Sequence, residues 1–429
     1  MLSQAERNQI IDLINREVVP AIGCTEPIAV ALCTARAAET LGGEPEKITV
    51  RLSANILKNA MGVGIPGTGM IGLPIAVALG ALVGRSEYQL EVLRDVTPEA
   101  VERGRRMIDG RRIAICLKED VDEKLYIEAE AEAAGHRAVA VIAGGHTSFV
   151  FVSRDGETLL DRRTPAAGGG EEEDVPLTLA RVWDFAMTSP LDELRFILET
   201  SRLNKAAAER SFAGEFGHCV GRTLCCDRER KVMGDSIFTR ILSYTSAACD
   251  ARMAGAMIPV MSNSGSGNQG ITCSLPVAEY ARYLRVPHDE MLRAVALSDL
   301  TAIHAKRFIG ELSAFCGAVT AATGAGAAVC YLRGGSFGQY QATIANTLAN
   351  VGGIVCDGAK ASCAAKIAAA VDAGIMGYRM YLHHREFRHG EGIVGSNVDD
   401  TIAKVGVLAQ QGMRQTDRTI LDIMQDRCS

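Results

Sequence analysis

The sequence predicts an α+β fold, in which a mixed α/β N-terminal domain precedes an all-helical catalytic domain. Strand-like alternation of apolar and polar residues is confined to the part of the chain before residue 164. Helical periodicity dominates after residue 176. The stretch between them, TPAAGGGEEEDVP at 164–176, is polar, glycine-rich and acidic, which is typical of a linker, although a long surface loop has the same composition. Because 429 residues exceed what one core usually supports, we place the two domains at 1–170 and 177–429.

The N-terminal elements follow from start and stop signals. A helix is predicted over 5–18, where Pro20 ends it. A second helix begins at Thr25, Glu26 and Pro27 and is closed by the glycines after Leu41. Alternation predicts strands within 47–56, 111–119, 125–133 and 136–156, and a glycine-rich loop at 62–72.

The C-terminal part has no strand-rich segment. Hydrophobic residues make up 48% of the chain but aromatic residues only 5%, a composition that suits closely packed helices of small side chains. Helices are predicted over 177–187, 190–210, 235–255, 275–300, 307–332, 340–355, 362–375 and 398–425.

Composition and charge exclude several classes of function. A net charge of −6 leaves no basic surface for nucleic acid. The N-terminus lacks an apolar signal-peptide core, and 13 scattered cysteines are typical of reduced thiols, so we expect a cytoplasmic protein. The uncharged stretches 61–84 and 312–332 are long enough to span a membrane, but their proline, glycine and hydroxyl residues favour buried segments. We therefore expect a small-molecule ligand, no nucleic acid and no membrane.

Three cysteines carry the strongest chemical signal. Cys316 lies in AFCGA, and Cys356 and Cys363 lie in IVCDGAKASC, with no CxxC pair among them. Three thiolates from two separated segments, set among glycine and alanine, are typical of an iron-sulfur cluster with one iron left open. An open iron is a Lewis acid, which favours catalysis over electron transfer. Buried cysteines also pack as small hydrophobes, and the residues alone leave both interpretations open.

The spacing of the second pair predicts its local structure. On one unbroken helix Cys356 and Cys363 would lie about 10 Å apart, a long reach for one cluster. The intervening segment is therefore predicted to fold over, with Asp357 and Gly358 forming a turn and Ser362 capping the helix that follows.

Two further segments are candidates for substrate chemistry. Cys24 immediately precedes a helix start, where the helix dipole lowers a thiol pKa from about 8.5 and so favours a general base, while Glu26 opposes this effect. A loop thiol without a role is the alternative. The segment 261–270, MSNSGSGNQG, offers backbone and side-chain donors to an anion, as an ordinary interhelical loop also would. Asn55, Lys58 and Asn59 are either substrate donors or part of a solvated face.

Four motifs, in this order, carry a family resemblance: VVPAIGCTEPIAVALC, SNSGSGNQG, AFCGAVTAATGAGAA and IVCDGAKASCAAKIAAA. The sequence resembles the L-cysteine desulfidases, relatives of the iron-sulfur L-serine dehydratases, over essentially its whole length. The resemblance implies an oxygen-sensitive lyase that uses a [4Fe-4S] cluster and no pyridoxal phosphate. Such an enzyme eliminates sulfide from L-cysteine and yields pyruvate and ammonia.

The resemblance also assigns residues. It implies that Cys316, Cys356 and Cys363 are cluster ligands and that Cys24 is the base. The serine dehydratases have histidine in a Ser-Ser-His-Thr loop where this chain has IGCT, which favours the desulfidase branch. Either Cys24 or the penultimate Cys428 could cap the fourth iron at rest, unless the tail is disordered. The expected contacts of the amino-acid substrate are Thr25, Ser264, Ser266, Gly267 and Asn268.

Two other functions stay open from the sequence. L-Serine ammonia-lyase activity fits the same scaffold. A non-catalytic, cluster-binding redox sensor would instead supply four protein ligands and would not respond to cysteine. We also expect a homodimer, although nothing in the sequence determines the oligomeric state.

Overall fold

The computed structural model describes residues 2–121, 123–163, 175–310 and 312–426. Eight strands are present in these residues: β1 (Pro20–Ile22), β2 (Lys47–Leu52), β3 (Ile113–Leu117), β4 (Tyr126–Ala133), β5 (His136–Ala143), β6 (Phe149–Arg154), β7 (Glu157–Asp161) and β8 (Pro259–Met261).

The helices alternate with strands at first and then follow one another directly. The first five are α1 (Gln4–Glu17), α2 (Thr25–Leu41), α3 (Ala54–Ala60), α4 (Leu73–Val83) and α5 (Pro98–Asp109). The later helices are α6 (Leu179–Thr188), α7 (Leu198–Phe212), α8 (Val220–Cys225), α9 (Asp227–Met233), α10 (Ile237–Met253), α11 (Gly267–Leu284), α12 (His288–Ile309), α13 (Gly317–Leu332), α14 (Phe337–Val351), α15 (Cys363–Leu382), α16 (Val398–Val407) and α17 (Arg414–Asp426).

A six-stranded sheet organises the N-terminal part. Its order is β3-β2-β4-β5-β6-β7, and only the β2–β3 pair is parallel. Helix α2 packs on one face of the sheet against β4 and β5, and α4 packs on α2. The alternation of alanine and glutamate in β4 follows from the packing of α2 on one face of the sheet. Ala129 and Ala131 are fully buried beneath α2, whereas Glu128 and Glu130 point to the other face and pair with Arg51.

The helical part is built around α13. This helix contacts α11, α12, α14 and α15, and nearly all of its residues are buried. Its glycines permit the close packing, because a Cβ on Gly324 would lie 2.4 Å from the carbonyl oxygen of Ser298. A Cβ on Gly326 would be equally close to the carbonyl oxygen of Gly374. The uncharged stretch 312–332 is therefore mainly a core helix with its preceding loop.

The predicted fold class is confirmed, and the differences lie in element boundaries. The helix expected over 275–300 is wrong, because Arg285 adopts φ +56° and Pro287 follows it, so α11 ends and α12 begins there. The helix expected over 307–332 begins only at Gly317. The strands β1, β7 and β8 and the helices α3, α4, α5, α8 and α9 were not predicted from the sequence.

Each end of the described chain packs against a part of the molecule that is distant from it in sequence. Ile10, Leu13 and Ile14 of α1 belong to the core of the helical part. Leu421 of α17 belongs to the core around the sheet, and α17 packs on α3. The division into domains at 1–170 and 177–429 stays a prediction, because residues 164–174 of the expected linker lie outside the described residues.

No helix in the described parts of the chain is both long enough and apolar enough to cross a membrane.

Candidate active site

Two loops that carry predicted cluster ligands pair with each other. Phe315 and Val355 form an isolated antiparallel bridge. On either side of it, the amide of Cys316 donates to the carbonyl of Ile354 at 3.1 Å, and the amide of Cys356 donates to the carbonyl of Ala314 at 2.6 Å. This short ladder brings Cys316 and Cys356 together although 39 residues lie between them in sequence.

The segment between Cys356 and Cys363 folds over as the sequence predicts. Gly358 has φ +93°, and a Cβ there would lie 2.2 Å from the carbonyl oxygen of Lys58, so only glycine fits this turn. Cys363 is the first residue of α15, and Cys316 directly precedes α13. Both thiols thus lie at the positive ends of helices. The expected cap is wrong, because the Ser362 side chain makes no capping hydrogen bond.

A buried ion pair ties these loops to the rest of the molecule. Lys58 of α3 is 1% exposed, pairs with Asp417 of α17, and donates to the carbonyl of Cys356 at 3.1 Å. The other carboxylate oxygen of Asp417 accepts from the amide of Ala314 at 3.0 Å. A solvated face at Lys58 is therefore excluded, and the lysine supports the two cysteine loops.

A two-stranded ribbon positions the substrate segments. Strand β1 pairs antiparallel with β8, so the loops that follow the two strands leave the short ribbon at opposite ends. The hydroxyl of Thr25 in the first loop donates to the carbonyl of Gly265 in the second at 3.5 Å, so the two loops are in contact. In the second loop, Ser264 and Gly265 have φ +48° and +75°. Asn263 and Ser266 exchange both backbone hydrogen bonds, each of 3.1 Å. The result is a tight hairpin turn next to the Cys24 loop.

The cysteine loops and the ribbon loops enclose one cavity of about 450 Å³. Its wall includes residues from both parts of the molecule, and charged side chains are prominent in it. The predicted site residues that line it are Cys24, Ser264, Ser266, Asn268, Cys316, Cys356 and Cys363. The structure therefore brings together seven residues that are spread over most of the chain.

Two predicted substrate contacts do not line this cavity. Thr25 faces a separate small pocket beside Ile22 and Ile28, and its hydroxyl donates to the carbonyl of Gly265 at 3.5 Å. Gly267 is the first residue of α11 and packs against Arg252. Both residues therefore support the Ser264–Asn268 turn from outside the cavity. Cys428, the predicted alternative cap, lies outside the described residues.

The environment of Cys24 differs from the one expected. The thiol is 3% exposed and donates to Glu26 Oε2 at 3.0 Å, and Asn59 Nδ2 donates to Glu26 Oε1 at 3.1 Å. Burial, and then the Glu26 carboxylate, raise the pKa of Cys24 well above its usual range, while Arg252 opposes this. These effects outweigh the lowering of the Cys24 pKa that the helix start predicts. At rest Cys24 is therefore a thiol hydrogen-bonded to a carboxylate.

Arg252 is a functional candidate that the sequence did not reveal. It lies in the last turn of α10, is 3% exposed, and lines the cavity. Its Nε is buried, and no described residue accepts a hydrogen bond from it. A Cβ on Gly267 would lie 2.4 Å from this Nε, so the absence of a side chain at position 267 makes room for the guanidinium. A buried guanidinium with an open donor suits a carboxylate ligand.

Other polar atoms of the cavity wall also lack partners. Buried atoms without a hydrogen bond to any described residue include Asn59 Oδ1, His146 Nε2 and Asn268 Oδ1. Because unsatisfied buried polar groups are uncommon, a group of them around one cavity points to a polar ligand. Asn59 was already a candidate donor from the sequence, but no signal in the local sequence marks Arg252 or His146, since only tertiary packing brings them to the cavity.

The cysteine loops fit the cluster that the resemblance implies. Three thiols of one cavity match the donor type of iron-sulfur clusters. Burial, and then the Cys356 thiol, raise the pKa of Cys316 to about 12, so several thiolates can coexist there only beside a cation. No group of three or more His, Cys, Asp or Glu side chains in the described residues is arranged to hold a single metal ion. A cluster differs, because each thiolate binds its own iron.

Comparison with known proteins gives the family. A model of the serine dehydratase alpha chain family matches residues 87–422, which is most of the chain. The chain belongs to the serine dehydratase alpha chain family. A UPF0597 protein of Bacteroides fragilis is 58% identical over 423 residues, covering 99% of each chain. UPF0597 proteins of Oleidesulfovibrio alaskensis and Porphyromonas gingivalis are 46% and 44% identical over 420 and 432 residues, with at least 98% of each chain covered.

Membership of this family confirms the relation to the iron-sulfur serine dehydratases and indicates a lyase-type function. The matched region contains the three cysteines, the Ser264–Asn268 turn and Arg252, whereas the Cys24 loop precedes it. The names of the relatives assign no reaction to them.

Proposed function

We propose that this protein is an iron-sulfur lyase that converts L-cysteine to pyruvate, ammonia and hydrogen sulfide. One observation carries the proposal: three thiols, a thiol–carboxylate pair and the Ser264–Asn268 turn, which come from distant parts of the sequence, line one cavity. Cys316, Cys356 and Cys363 would hold a [4Fe-4S] cluster, whose open iron supplies Lewis-acid polarisation of the bond to the leaving group. The proposal needs no pyridoxal phosphate.

The substrate carboxylate has a site on the opposite elements. Arg252 Nε and the amides at the start of α11 are donors at this part of the wall, whereas Asn268 Nδ2 already donates to Met253 Sδ at 3.4 Å. Ser264 and Ser266 add hydroxyls in the same turn, and Thr25 and Gly267 hold the turn and the guanidinium in place. These contacts fix the amino acid by a group that does not react, which is how a lyase orients the Cα–H bond.

Cys24 and Glu26 are the proposed base. The thiol donates to Glu26 Oε2 at rest, which makes this carboxylate the nearest acceptor for the thiol proton, and Arg252 is the group that favours the thiolate. The thiolate then removes the proton from Cα, the Cα–H electrons form a Cα=Cβ bond, and sulfide leaves with the electrons of the Cβ–S bond. The released aminoacrylate hydrolyses to pyruvate and ammonia without any change of oxidation state in the protein.

The experiment is an elimination assay on protein prepared without oxygen and containing its cluster. Sulfide, ammonia and pyruvate are measured with L-cysteine, and ammonia and pyruvate with L-serine. We expect a higher kcat/KM for L-cysteine, because hydrosulfide leaves more readily than hydroxide. Cys24→Ala should abolish turnover of both substrates while the cluster absorbance stays unchanged.

Each alternative has its own outcome in this assay. A higher kcat/KM for L-serine would identify an L-serine ammonia-lyase, which the family match favours. Turnover of neither amino acid by cluster-containing protein would favour the redox sensor. Full sulfide release by Cys24→Ala would remove Cys24 as the base and leave the reaction itself standing.

A further inference from the structure

His146 is the one histidine in the described residues that lines the candidate active-site cavity. It lies in the loop that joins β5 to β6. Gly144 begins this loop with φ +76°, and the amide of Ser148 closes it by donating to the carbonyl of Gly145 at 3.1 Å. A loop of the N-terminal sheet thus places an imidazole at a cavity whose other walls belong largely to the helical part.

The Nε2 atom of His146 is buried and has no hydrogen-bond partner in the described residues. Other histidines contrast with it. His136, at the opposite end of β5, has Nδ1 2.8 Å from Asp155, and His304 has Nε2 3.0 Å from Asp399. An imidazole nitrogen kept buried without a protein partner, in a cavity with other such atoms, is suited to a ligand atom.

The proposed reaction needs a second proton transfer besides the one at Cα. When the bond from Cβ to the leaving group breaks, the departing atom takes both electrons and becomes basic. Hydroxide leaves only when it is protonated. Hydrosulfide depends less strongly on protonation, and chloride leaves without a proton. The Cys24–Glu26 pair serves Cα, and Lys366 of α15 already binds Asp357 and the carbonyl of Val355. His146 has no such competing partner at Nε2.

We infer that His146 is the acid that protonates the leaving group, an inference that rests on the proposed lyase function. Nε2 gives its proton to the departing sulfur or oxygen as the Cβ bond breaks, while Cys24 receives the proton from Cα. The protein then has one proton fewer at His146 and one more on the Cys24–Glu26 pair, and exchange with water restores both. This chain has Cys24 where the serine dehydratases have the histidine of the Ser-Ser-His-Thr loop. The loop between β5 and β6 places a different histidine, His146, at the same cavity.

The test compares leaving groups. Wild type, His146→Gln and the control His136→Gln, all prepared anaerobically with the cluster, are assayed with L-serine, L-cysteine and β-chloro-L-alanine. General acid catalysis contributes about 100-fold or more, so we expect His146→Gln to lose at least about that factor in kcat with L-serine. The loss should be smaller with L-cysteine and absent with β-chloro-L-alanine. His136→Gln should match wild type on all three substrates.

A second readout does not depend on turnover. In protein labelled with ¹⁵N-histidine and free of the cluster, the Nε2 resonance of His146 is assigned as the one that is absent from the spectrum of His146→Gln. In the wild-type protein this resonance should shift when the unreactive L-alanine is added. A resonance that does not respond would count against contact with the ligand.

The outcomes separate the inference from the function on which it rests. Equal losses on all three substrates would mean that His146 has only a structural role and would overturn the inference alone. Unchanged activity of His146→Gln with L-serine would also overturn it. If wild type eliminates from none of the three substrates, the proposed function and the inference both fall.

Discussion

At the residue scale, the protonation state of Cys24 is set by tertiary packing. Its position before α2 alone would favour a thiolate. Burial and the 3.0 Å hydrogen bond to Glu26 act in the other direction, and they raise the pKa of the thiol. The proton therefore rests on the Cys24 sulfur and is hydrogen-bonded to the carboxylate, and Arg252 is the group that opposes the rise in pKa.

Arg252 leads to a prediction about substrate affinity. Arg252→Gln should raise KM for the amino acid by about 10- to 100-fold, since a hydrogen bond to a charged group contributes about 1.5–3 kcal/mol. The change in kcat should be smaller, because the carboxylate is bound alike in the ground state and the transition state. Steady-state kinetics on anaerobic enzyme measure both quantities, with Arg228→Gln, an exposed arginine of α9, as the control.

Gly267→Ala tests the same contact without removing the charge. The new methyl group would lie 2.4 Å from Arg252 Nε and would displace the guanidinium, so KM should rise as in Arg252→Gln. A normal KM in both variants would show that the carboxylate is bound elsewhere in the cavity.

At the element scale, two short β-type pairings assemble the site. The β1–β8 ribbon anchors the Cys24 loop and the Ser264–Asn268 turn, which follow its two strands and meet at Thr25 and Gly265. The Phe315–Val355 bridge aligns the loops of Cys316 and Cys356. Each pairing involves at most three residues per strand. Such short ladders are stable only where surrounding helices hold them. Here α7 and α11 pack on β8, and α13 and α15 begin next to the loops of the bridge.

The elements also show what a sequence can predict and what it cannot. The start of α2 at Thr25 and its end at Gly42 depend on local capping signals, and both were predictable. The turn at Gly358 was predictable for the same reason. The β1–β8 ribbon was not, because its strands are three residues long and more than 200 residues apart in sequence. Arg252 and His146 also reach the cavity only through tertiary packing, so the sequence did not reveal them.

Helix α17 leads to a prediction about cluster retention. Asp417→Asn should lower the free energy of unfolding by about 3 kcal/mol, since it leaves the buried Lys58 ammonium without its carboxylate. The loops that Lys58 and Asp417 hold carry Cys316 and Cys356, so iron should also be lost faster on desalting. Urea unfolding and iron analysis measure the two effects.

Asp422→Asn is the matched control, because Asp422 lies on the same helix and is exposed. It should leave both quantities unchanged. If Asp417→Asn retained iron as wild type does, α17 would contribute to stability but not to the cysteine loops.

At the scale of the whole molecule, the cavity depends on both parts of the chain. Cys24, Asn59 and His146 come from the N-terminal α/β part, whereas the three cysteines and Arg252 come from the helical part. Helix α1 packs into the helical core and α17 packs on α3, so each part is held to the other by an end of the chain. Neither part alone contains the candidate site.

The central claim is that Cys316, Cys356 and Cys363 hold a cluster whose open iron meets the substrate. The most direct measurement is the EPR spectrum of the anaerobic, reduced protein with and without L-cysteine. We expect a [4Fe-4S] signal that changes when L-cysteine is added and is absent from Cys356→Ser. A cluster signal that L-cysteine leaves unchanged, or that persists in Cys356→Ser, would contradict the claim.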